Sequence, residues 1–531
     1  MKNLTFARNT LATMPQLQKL PIGLQNFEKI RTEGYLYVDK TQHIAELLGG
    51  VYYFISRPRR FGKSLLLSTL HAYFEGKKEL FNGLKISQLE KEWKQYPILH
   101  LDLNVGKYEN KEALLKRLDK HLVEWENQYS VKTIAGDTLG NRFETVIKTA
   151  CQQAGLQAVV LIDEYEKPIL DVITNEALAD DYRATLRGFY SALKSSDQFL
   201  KFVFITGVTK LGKMSIFSGL NNLRDISFSE QYADLCGISE DELKTHFEPY
   251  VQQIAQKYKM SLPETYAKLK EMYDGYHFCE NAPGMYNPFS LLNCLSDLKF
   301  ENYWFSTGTP TFLVELIKKQ KLKLIDIAHR EASAELLGSF ELLNHDPIPA
   351  IYQTGYLTIK GYNQRFEKYR LGFPNREVEK SFLEFVLPYF HTFRRSNEFE
   401  VSEFIGDVEA GNAEGFIRRL RSFLAAIPYE IQPDTEVYFQ NTMFVLFRLM
   451  GYYARAEERT SEGRMDLLVE TDRYLYVMEL KLNQSAAEAL QQIDSKDYAL
   501  PYQVGPKKLF KIGINFNTQK RNVDDWKVES D

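Results

Sequence analysis

Ser56-Arg57-Pro58-Arg59-Arg60-Phe61-Gly62-Lys63-Ser64 is the stretch that decides how this chain folds. Ahead of it, Val51-Tyr52-Tyr53-Phe54-Ile55 is an aromatic and β-branched run that predicts a strand, and behind it Leu65 to Phe74 carries apolar residues at helical spacing. A strand that turns through a loop ending in Gly-Lys-Ser and enters a helix has the Walker A order. Loop and first-turn N–H groups face an anion, the lysine reaches the outer phosphates and the hydroxyl meets Mg²⁺. Gly62 permits close backbone approach, Lys63 supplies charge and Ser64 the hydroxyl. Arg57 replaces the first glycine of the pattern, so the loop taken alone also fits a basic turn before an ordinary helix.

Downstream, Val159-Val160-Leu161-Ile162 runs into Asp163-Glu164. A buried strand ending in two carboxylates delivers acids to the edge of a sheet where α/β folds bind ligands. Asp163 is expected to meet Mg²⁺ through water and Glu164 to activate the attacking water. The next run, Phe202-Val203-Phe204-Ile205, ends at Thr206-Gly207, where Thr206 either senses the γ-phosphate or makes a turn. An arginine finger could come from Arg183 and Arg187, one helical turn apart, or from Arg59, Arg60 or Arg224; the Arg183–Arg187 pair equally fits a solvated helix face. With Ile98–Asn104, these runs alternate with helical patterns over residues 21–235, which predicts a parallel sheet flanked by helices.

A second constellation lies near the C-terminus. Gly463–Thr471 and Tyr474–Leu482 read as two strands around Asp472-Arg473. A two-residue loop there pairs Thr471 with Tyr474 and sets Asp466 opposite Glu479, with Cβ atoms ~5 Å apart. Lys481 shares the face of Glu479 because strand side chains alternate, while Leu480 and Leu482 make the other face apolar. Two acids and a lysine suit Mg²⁺ bound by carboxylates with an ammonium beside the attacking water or the phosphate. A strand pair whose polar face meets solvent is the plainer alternative. Glu436, on a helix entering this region, could add a ligand, and Gln491, on a helix from Ser485, could orient water or phosphate.

The 531 residues suffice for three or four domains. The organisation expected is an arm at 1–20, the phosphate-loop domain at 21–235, a mostly helical middle at 236–385, a helical connector at 386–430 and an α/β domain at 431–531. Net charge is −4, so a nucleic-acid partner needs local basic grooves rather than a global field. Four cysteines without a CxxC pair, no signal-peptide core and no apolar run of membrane-spanning length lead to the expectation of a reduced, cytoplasmic protein without a membrane partner. In the middle region, His277 and Cys279 invite a metal reading, but without a second ligand pair they fit packing better. The hairpin pattern Tyr356–Gly372 is either the wing of a winged helix, with Arg365, Lys368 and Arg370 on phosphates, or a solvated hairpin.

Several longer stretches are unusual in composition: Tyr37-Val-Asp-Lys-Thr41, Arg57-Pro-Arg-Arg-Phe-Gly-Lys-Ser64, Leu161-Ile-Asp-Glu-Tyr165, Ser215-Ile-Phe-Ser-Gly-Leu-Asn-Asn222, Tyr352-Gln-Thr-Gly-Tyr356 and Gly463-Arg-Met-Asp466. With these, nearly the whole chain resembles a bacterial family that joins an AAA-ATPase-like domain to a C-terminal PD-(D/E)XK nuclease domain. The Arg-Pro-Arg-Arg-Phe loop is that family's own form. The resemblance implies a P-loop NTPase parallel sheet and a restriction-endonuclease-like α/β core. It matches Asp466, Glu479 and Lys481 to the nuclease motif, with Glu436 as its helix acid. The expectation is a protein that binds and hydrolyses ATP with Mg²⁺ and couples this to Mg²⁺-dependent phosphodiester hydrolysis, with DNA as the substrate. Arg59, Arg60, Gly62, Lys63, Ser64, Asp163 and Thr206 would hold the nucleotide, Ser64 and Asp163 its metal, and Asp466, Glu479 and Glu436 the second metal. The alternative is a nucleotide-dependent switch whose nuclease-like domain binds nucleic acid without cutting. Oligomerisation is left open.

Overall fold

The computed structural model of the chain describes residues 17–530 apart from 133–135, 174, 211–215, 218, 305–326, 328–329, 339–345, 391–405, 426–443, 447, 449–452, 457–458, 461–462, 465–466, 504 and 521. Two compact units meet in sequence at Tyr303 and Trp304.

The first unit is built on five parallel strands: β1 (Tyr52–Ser56), β2 (Ile98–Asp102), β3 (Ala158–Asp163), β4 (Leu200–Gly207) and β5 (Arg224–Asp225), in the order β2-β3-β4-β1-β5. Every residue of β3 is buried, as a continuous apolar run between two helical layers requires. Inserting β4 between β1 and β3 has a chemical consequence. It sets Thr206 between the end of the phosphate loop's strand and Asp163. Gly62 takes a left-handed φ of 91°, which favours glycine, and starts the helix Lys63–Phe74. The helices Lys111–Gln128, Leu139–Ala154 and Glu176–Ser195 pack together through Trp125, Phe143 and Phe189, the last two rings stacked at 4.6 Å.

Three more helices, Glu240–Tyr258, Leu262–Tyr273 and Pro288–Asp297, complete this unit. The first two begin with reciprocal capping boxes, Ser239 with Glu242 and Ser261 with Glu264, which satisfy first-turn donors. Their apolar faces bury Leu243, Phe247, Val251, Leu269 and Leu291 together with Leu36 from the N-terminal segment. The short strands β6 (Ile238–Ser239) and β7 (Met285–Tyr286) pair antiparallel at the edge of this module.

In the second unit, β8 (Glu331–Ser333), β9 (Thr358–Asn363) and β10 (Lys368–Gly372) form a three-stranded antiparallel sheet in the order β8-β10-β9. A second sheet contains β11 (Tyr453–Ala456), β14 (Leu467–Glu470), β15 (Tyr474–Leu482), β16 (Lys508–Asn517) and β17 (Asn522–Ser530), in the order β11-β14-β15-β16-β17; β12 (Arg459–Thr460) and β13 (Gly463–Arg464) make a separate small pair. The β14–β15 register puts Leu467 opposite Met478 and Glu470 opposite Leu475, the register of a two-residue turn. β15 and β16 are parallel, joined by the crossover helix Ala486–Ser495. Gly513 lets this helix lie close, since a Cβ there would come within 2.3 Å of the Ala486 carbonyl oxygen. The opposite sheet face, with Tyr476, Met478 and Ile512, packs on Phe416, Ile417 and Leu420 of the helix Ala413–Ala425.

The parallel strands β1 to β4 and the hairpin pairing of 467–470 with 475–478 sit where sequence patterning puts them, whereas Gly463–Arg464, expected in the hairpin's first strand, pair with β12, and Asp466 lies outside the described residues. The edge strands β5, β8 and β17 are additions to that reading. β17 mixes charge with apolar residues, is mostly half-exposed and slips register between Asn515 and Phe516, so neither alternation nor an apolar run marks it.

Candidate functional site

At the phosphate loop, Lys63 is buried and its Nζ donates to the carbonyl oxygens of Arg57 (3.0 Å) and Pro58 (3.2 Å). Its ammonium is thereby held within the loop's own curvature. Ser64 Oγ donates to one Asp163 carboxylate oxygen at 2.6 Å, and Thr206 Oγ1 donates to the other at 2.5 Å. Asp163 thus bridges the first turn of the loop's helix to the end of β4, with both oxygens directed. Thr206 is fully buried, so its hydroxyl serves to orient Asp163.

Glu164 follows in a left-handed conformation, φ 51°, which turns its side chain out of the strand alternation. Burial raises its carboxyl above the usual range, Lys63 opposes the rise, and neighbouring Asp163 adds to it. A carboxyl shifted toward neutral pH beside a lysine suits proton transfer. Arg60 is exposed, has φ 69° and lies over the Phe289 ring at 4.9 Å; Arg59 is half-buried and its field stabilises the Glu164 carboxylate. Arg57 is only 1 % exposed and donates to the carbonyls of Ser56 (2.9 Å), Ser227 (2.9 Å) and Tyr232 (3.0 Å). Arg183 pairs with Asp180 on its own helix, and Arg224 lies over Tyr232 at 5.9 Å.

On the second sheet, Glu479 is buried at 2 % exposure on the face covered by the crossover helix. Lys481 Nζ donates to Glu479 Oε1 at 3.2 Å and to Gln492 Oε1 at 2.5 Å, while Gln492 Nε2 donates to the same Glu479 oxygen. Strand and helix together build an acid–lysine–amide cluster. Asp466 and Glu436 lie outside the described residues. Among the described residues no group of three or more His, Cys, Asp or Glu could hold a metal ion. His277 instead hydrogen-bonds its own loop, with Nδ1 2.9 Å from the Ala282 carbonyl oxygen, and Cys279 packs with Ala233 and Ala282.

A family described as predicted AAA-ATPase matches residues 21–217, and the PD-(D/E)XK nuclease superfamily matches residues 434–526. A protein of Azotobacter chroococcum mcd 1, described as an uncharacterized protein in the vnfD 5' region, is 34 % identical over 525 residues, covering 97 % of this chain and 99 % of its own. The chain belongs to the family that joins an AAA-ATPase-like domain to a PD-(D/E)XK nuclease-superfamily domain. Among solved structures, Aeropyrum pernix ORC1 in complex with DNA is 13 % identical with a TM-score of 0.22, covering 65 % of this chain and 91 % of its own. Cdc6p from Pyrobaculum aerophilum is 12 % identical with a TM-score of 0.21 and the same coverage.

Three residues of this AAA-ATPase-like, nuclease-superfamily chain escape sequence reasoning. Gln492, rather than Gln491, meets Glu479 and Lys481. The buried Ala486, Ala489, Leu490 and Ile493 mark the helix stripe facing the sheet; Gln492 flanks that stripe, whereas Gln491 is exposed on the far side. A helical wheel carries that signal. Arg57 and Glu166 have no local signal, because their partners lie on other elements. Among the described residues no helix is long and apolar enough to cross a membrane.

Proposed function

We propose that the first unit binds and hydrolyses ATP and that the second hydrolyses phosphodiesters, DNA being the substrate, with nucleotide state gating the cut. The observation that carries the first half is the aligned set at the ends of β1, β3 and β4: Lys63 in the loop, Ser64 and Thr206 on either side of Asp163, and Glu164 beyond it.

The side chains have separable tasks. Lys63 exchanges two backbone carbonyls for phosphate oxygens, so its ammonium needs no new ordering when nucleotide arrives. The amides that open the helix Lys63–Phe74 lack intrahelical acceptors and favour an anion there. Glu164 takes the proton of the attacking water, helped by a carboxyl whose proton affinity burial has raised. Thr206 keeps Asp163 in one rotamer. The hydroxyl–carboxylate pair Ser64–Asp163 is the oxygen donor set that Mg²⁺ takes, and the ion would supply charge neutralisation of the phosphates. At the second site, Glu479 with Asp466 would hold Mg²⁺ and Glu436 could add a ligand. Lys481 would face the water or phosphate, and Gln492 fixes the geometry of both described groups. Four free thiols suit a reducing, cytoplasmic compartment.

The test is cleavage of single- and double-stranded DNA and RNA, with and without ATP, by wild type, Lys63→Ala, Glu164→Gln and Asp466→Ala. Cleavage lost in Asp466→Ala and altered by the two loop-site variants is the expected result. Cutting that survives Asp466→Ala removes the nuclease assignment, and binding without any cutting leaves a nucleotide-dependent switch.

A further inference from the structure

The AAA-ATPase match ends at residue 217, yet much of what grips the phosphate loop from outside lies beyond it. The Arg57 guanidinium reaches the Ser227 and Tyr232 carbonyls and lies 4.0 Å from the centre of the Phe278 ring. Phe61, 1 % exposed, meets Tyr276 edge-on at 4.7 Å and Phe278 at 5.5 Å. Asn287 Nδ2 donates to the Arg59 carbonyl at 3.5 Å, and Phe289 lies under the Arg60 guanidinium. Gly237 is left-handed at φ 100°, and a Cβ there would stand 3.3 Å from the Phe61 ring, so this wall fits closely. Arg57, Arg59, Arg60 and Phe61 are thus each held by residues between 227 and 289.

A phosphate loop must present its amides in a fixed curve before the anion arrives, because ordering them on binding subtracts from affinity. Glycine-rich loops do this through backbone freedom in a tight turn. Here Arg57 cannot supply such freedom. Its own N–H instead continues the β1–β4 ladder to the Gly207 carbonyl at 3.1 Å, and its side chain ties the loop's first residue to a second wall. Its carbonyl in turn accepts from Lys63. The buried guanidinium also adds positive potential beneath the site, where low dielectric makes it felt by an anion.

We propose that Arg57 and Phe61 are positioning residues for nucleotide binding, and that the segment 276–289 is the mould that holds the phosphate loop open. The proposal rests on the ATP-binding reading above for its ligand, but not for its geometry. It makes the helical module after β5 part of the nucleotide site, and it makes the arginine at the glycine position a gain rather than a defect.

The test uses the full chain and two readouts: affinity for MgATP by calorimetry, and amide exchange of the loop peptide 57–66 without nucleotide. Arg57→Gly, which restores the usual glycine, Arg57→Lys and Phe278→Leu are compared with wild type, with melting temperature as the folding check. The expected result is loop exchange faster by at least about tenfold and MgATP affinity weaker by about tenfold in Arg57→Gly and Phe278→Leu, without rescue by lysine, which lacks the planar fork. Folded Arg57→Gly or Phe278→Leu with wild-type exchange and wild-type affinity overturns the proposal. If Arg57→Gly does not fold, Phe278→Leu decides, since it keeps apolar bulk and removes only the ring. Should wild type fail to bind MgATP, the ATP reading fails, and loop exchange alone still decides whether the mould exists.

Discussion

Glu166 gives the sharpest quantitative test of the AAA-ATPase-like unit's fold. Its side chain is 1 % exposed; Oε1 accepts the Val208 and Thr209 amides at 2.6 and 2.7 Å, and Oε2 is buried without a hydrogen-bond partner among the described residues. Gly207 makes room for it, because a Cβ at that position would stand 2.6 Å from Oε2. Burial lifts the carboxyl from 4.5 to about 7, against the opposing Thr209 amide and with help from Glu164. The sign follows from proton counting. Between these pH values the unfolded chain has released the proton while the folded chain keeps it, so stability falls as pH rises. A rise of about 2.5 units at 1.36 kcal/mol each corresponds to about 3 kcal/mol, present below pH 4.5 and lost by about pH 8.

Glu166→Gln keeps the accepting oxygen for both amides and never ionises. Relative to wild type it should therefore gain about 3 kcal/mol between pH 4.5 and pH 8, whatever its offset at low pH. Amide exchange of peptides covering β3 and β4, measured in moderate urea at both pH values with intrinsic exchange rates normalised, reads this unit without contribution from the second. Parallel pH dependences for the two proteins would show that Glu166 ionises freely in the fold, and the argument from burial would be refuted.

Lys63→Ala should weaken MgATP by about 10–100-fold in calorimetry, the loss expected when a charge-assisted phosphate contact is removed. Glu164→Gln should keep MgATP affinity within about threefold while hydrolysis falls by about 10²–10⁴; the acid limb of the wild-type kcat/KM profile, displaced upward with the Glu164 carboxyl, should vanish with it. Gln492→Ala should slow DNA cleavage by about 10–100-fold, the usual effect of losing a partner that orients a ligand, while Gln491→Ala leaves the rate unchanged. Burial opposes charge on His43, yet its ion pair with Asp234 at 3.0 Å and its hydrogen bond with Glu46 at 3.1 Å hold its pKa above 6.5. Its contribution to stability is complete below that value and is lost as pH rises through the raised one, a slope that Asp234→Asn should flatten in thermal melts.

How much of this was legible in the sequence depends on how far each cause lies along the chain. β1, β3 and β4 are marked by uninterrupted apolar runs because both sheet faces are covered. The hairpin register is fixed by a local turn, and the period-two alternation of one strand sets Glu479 and Lys481 on one face without any knowledge of the rest. Arg57 was opaque for the converse reason. Its neighbours in sequence make it look like a damaged phosphate loop, and Ser227, Tyr232 and Phe278, more than 160 residues away, give it a purpose. Glu166 is unmarked in the sequence, because the amides that define it belong to β4's exit.

The two sites solve one electrostatic problem in different ways, and this bears on how they could be coupled. Asp163 lies at the carboxyl edge of a parallel sheet, where two hydroxyls share its charge and a nearby loop supplies the lysine. Glu479 lies inside a strand, 2 % exposed, with a lysine two residues along the same strand and an amide on the covering helix. The first arrangement can respond to a ligand without moving the loop, since Lys63 Nζ can leave the Arg57 and Pro58 carbonyls for phosphate oxygens. The second is fixed by a strand and a helix packed through Gly513, and has little local freedom to respond. Any gating of the cut by nucleotide should therefore act on access of nucleic acid to Glu479 rather than on the geometry of its cluster. In that case ATP changes the KM for DNA while kcat on a saturating short duplex stays constant. A kcat that follows nucleotide state at constant KM would place the coupling inside the cluster and reverse this conclusion.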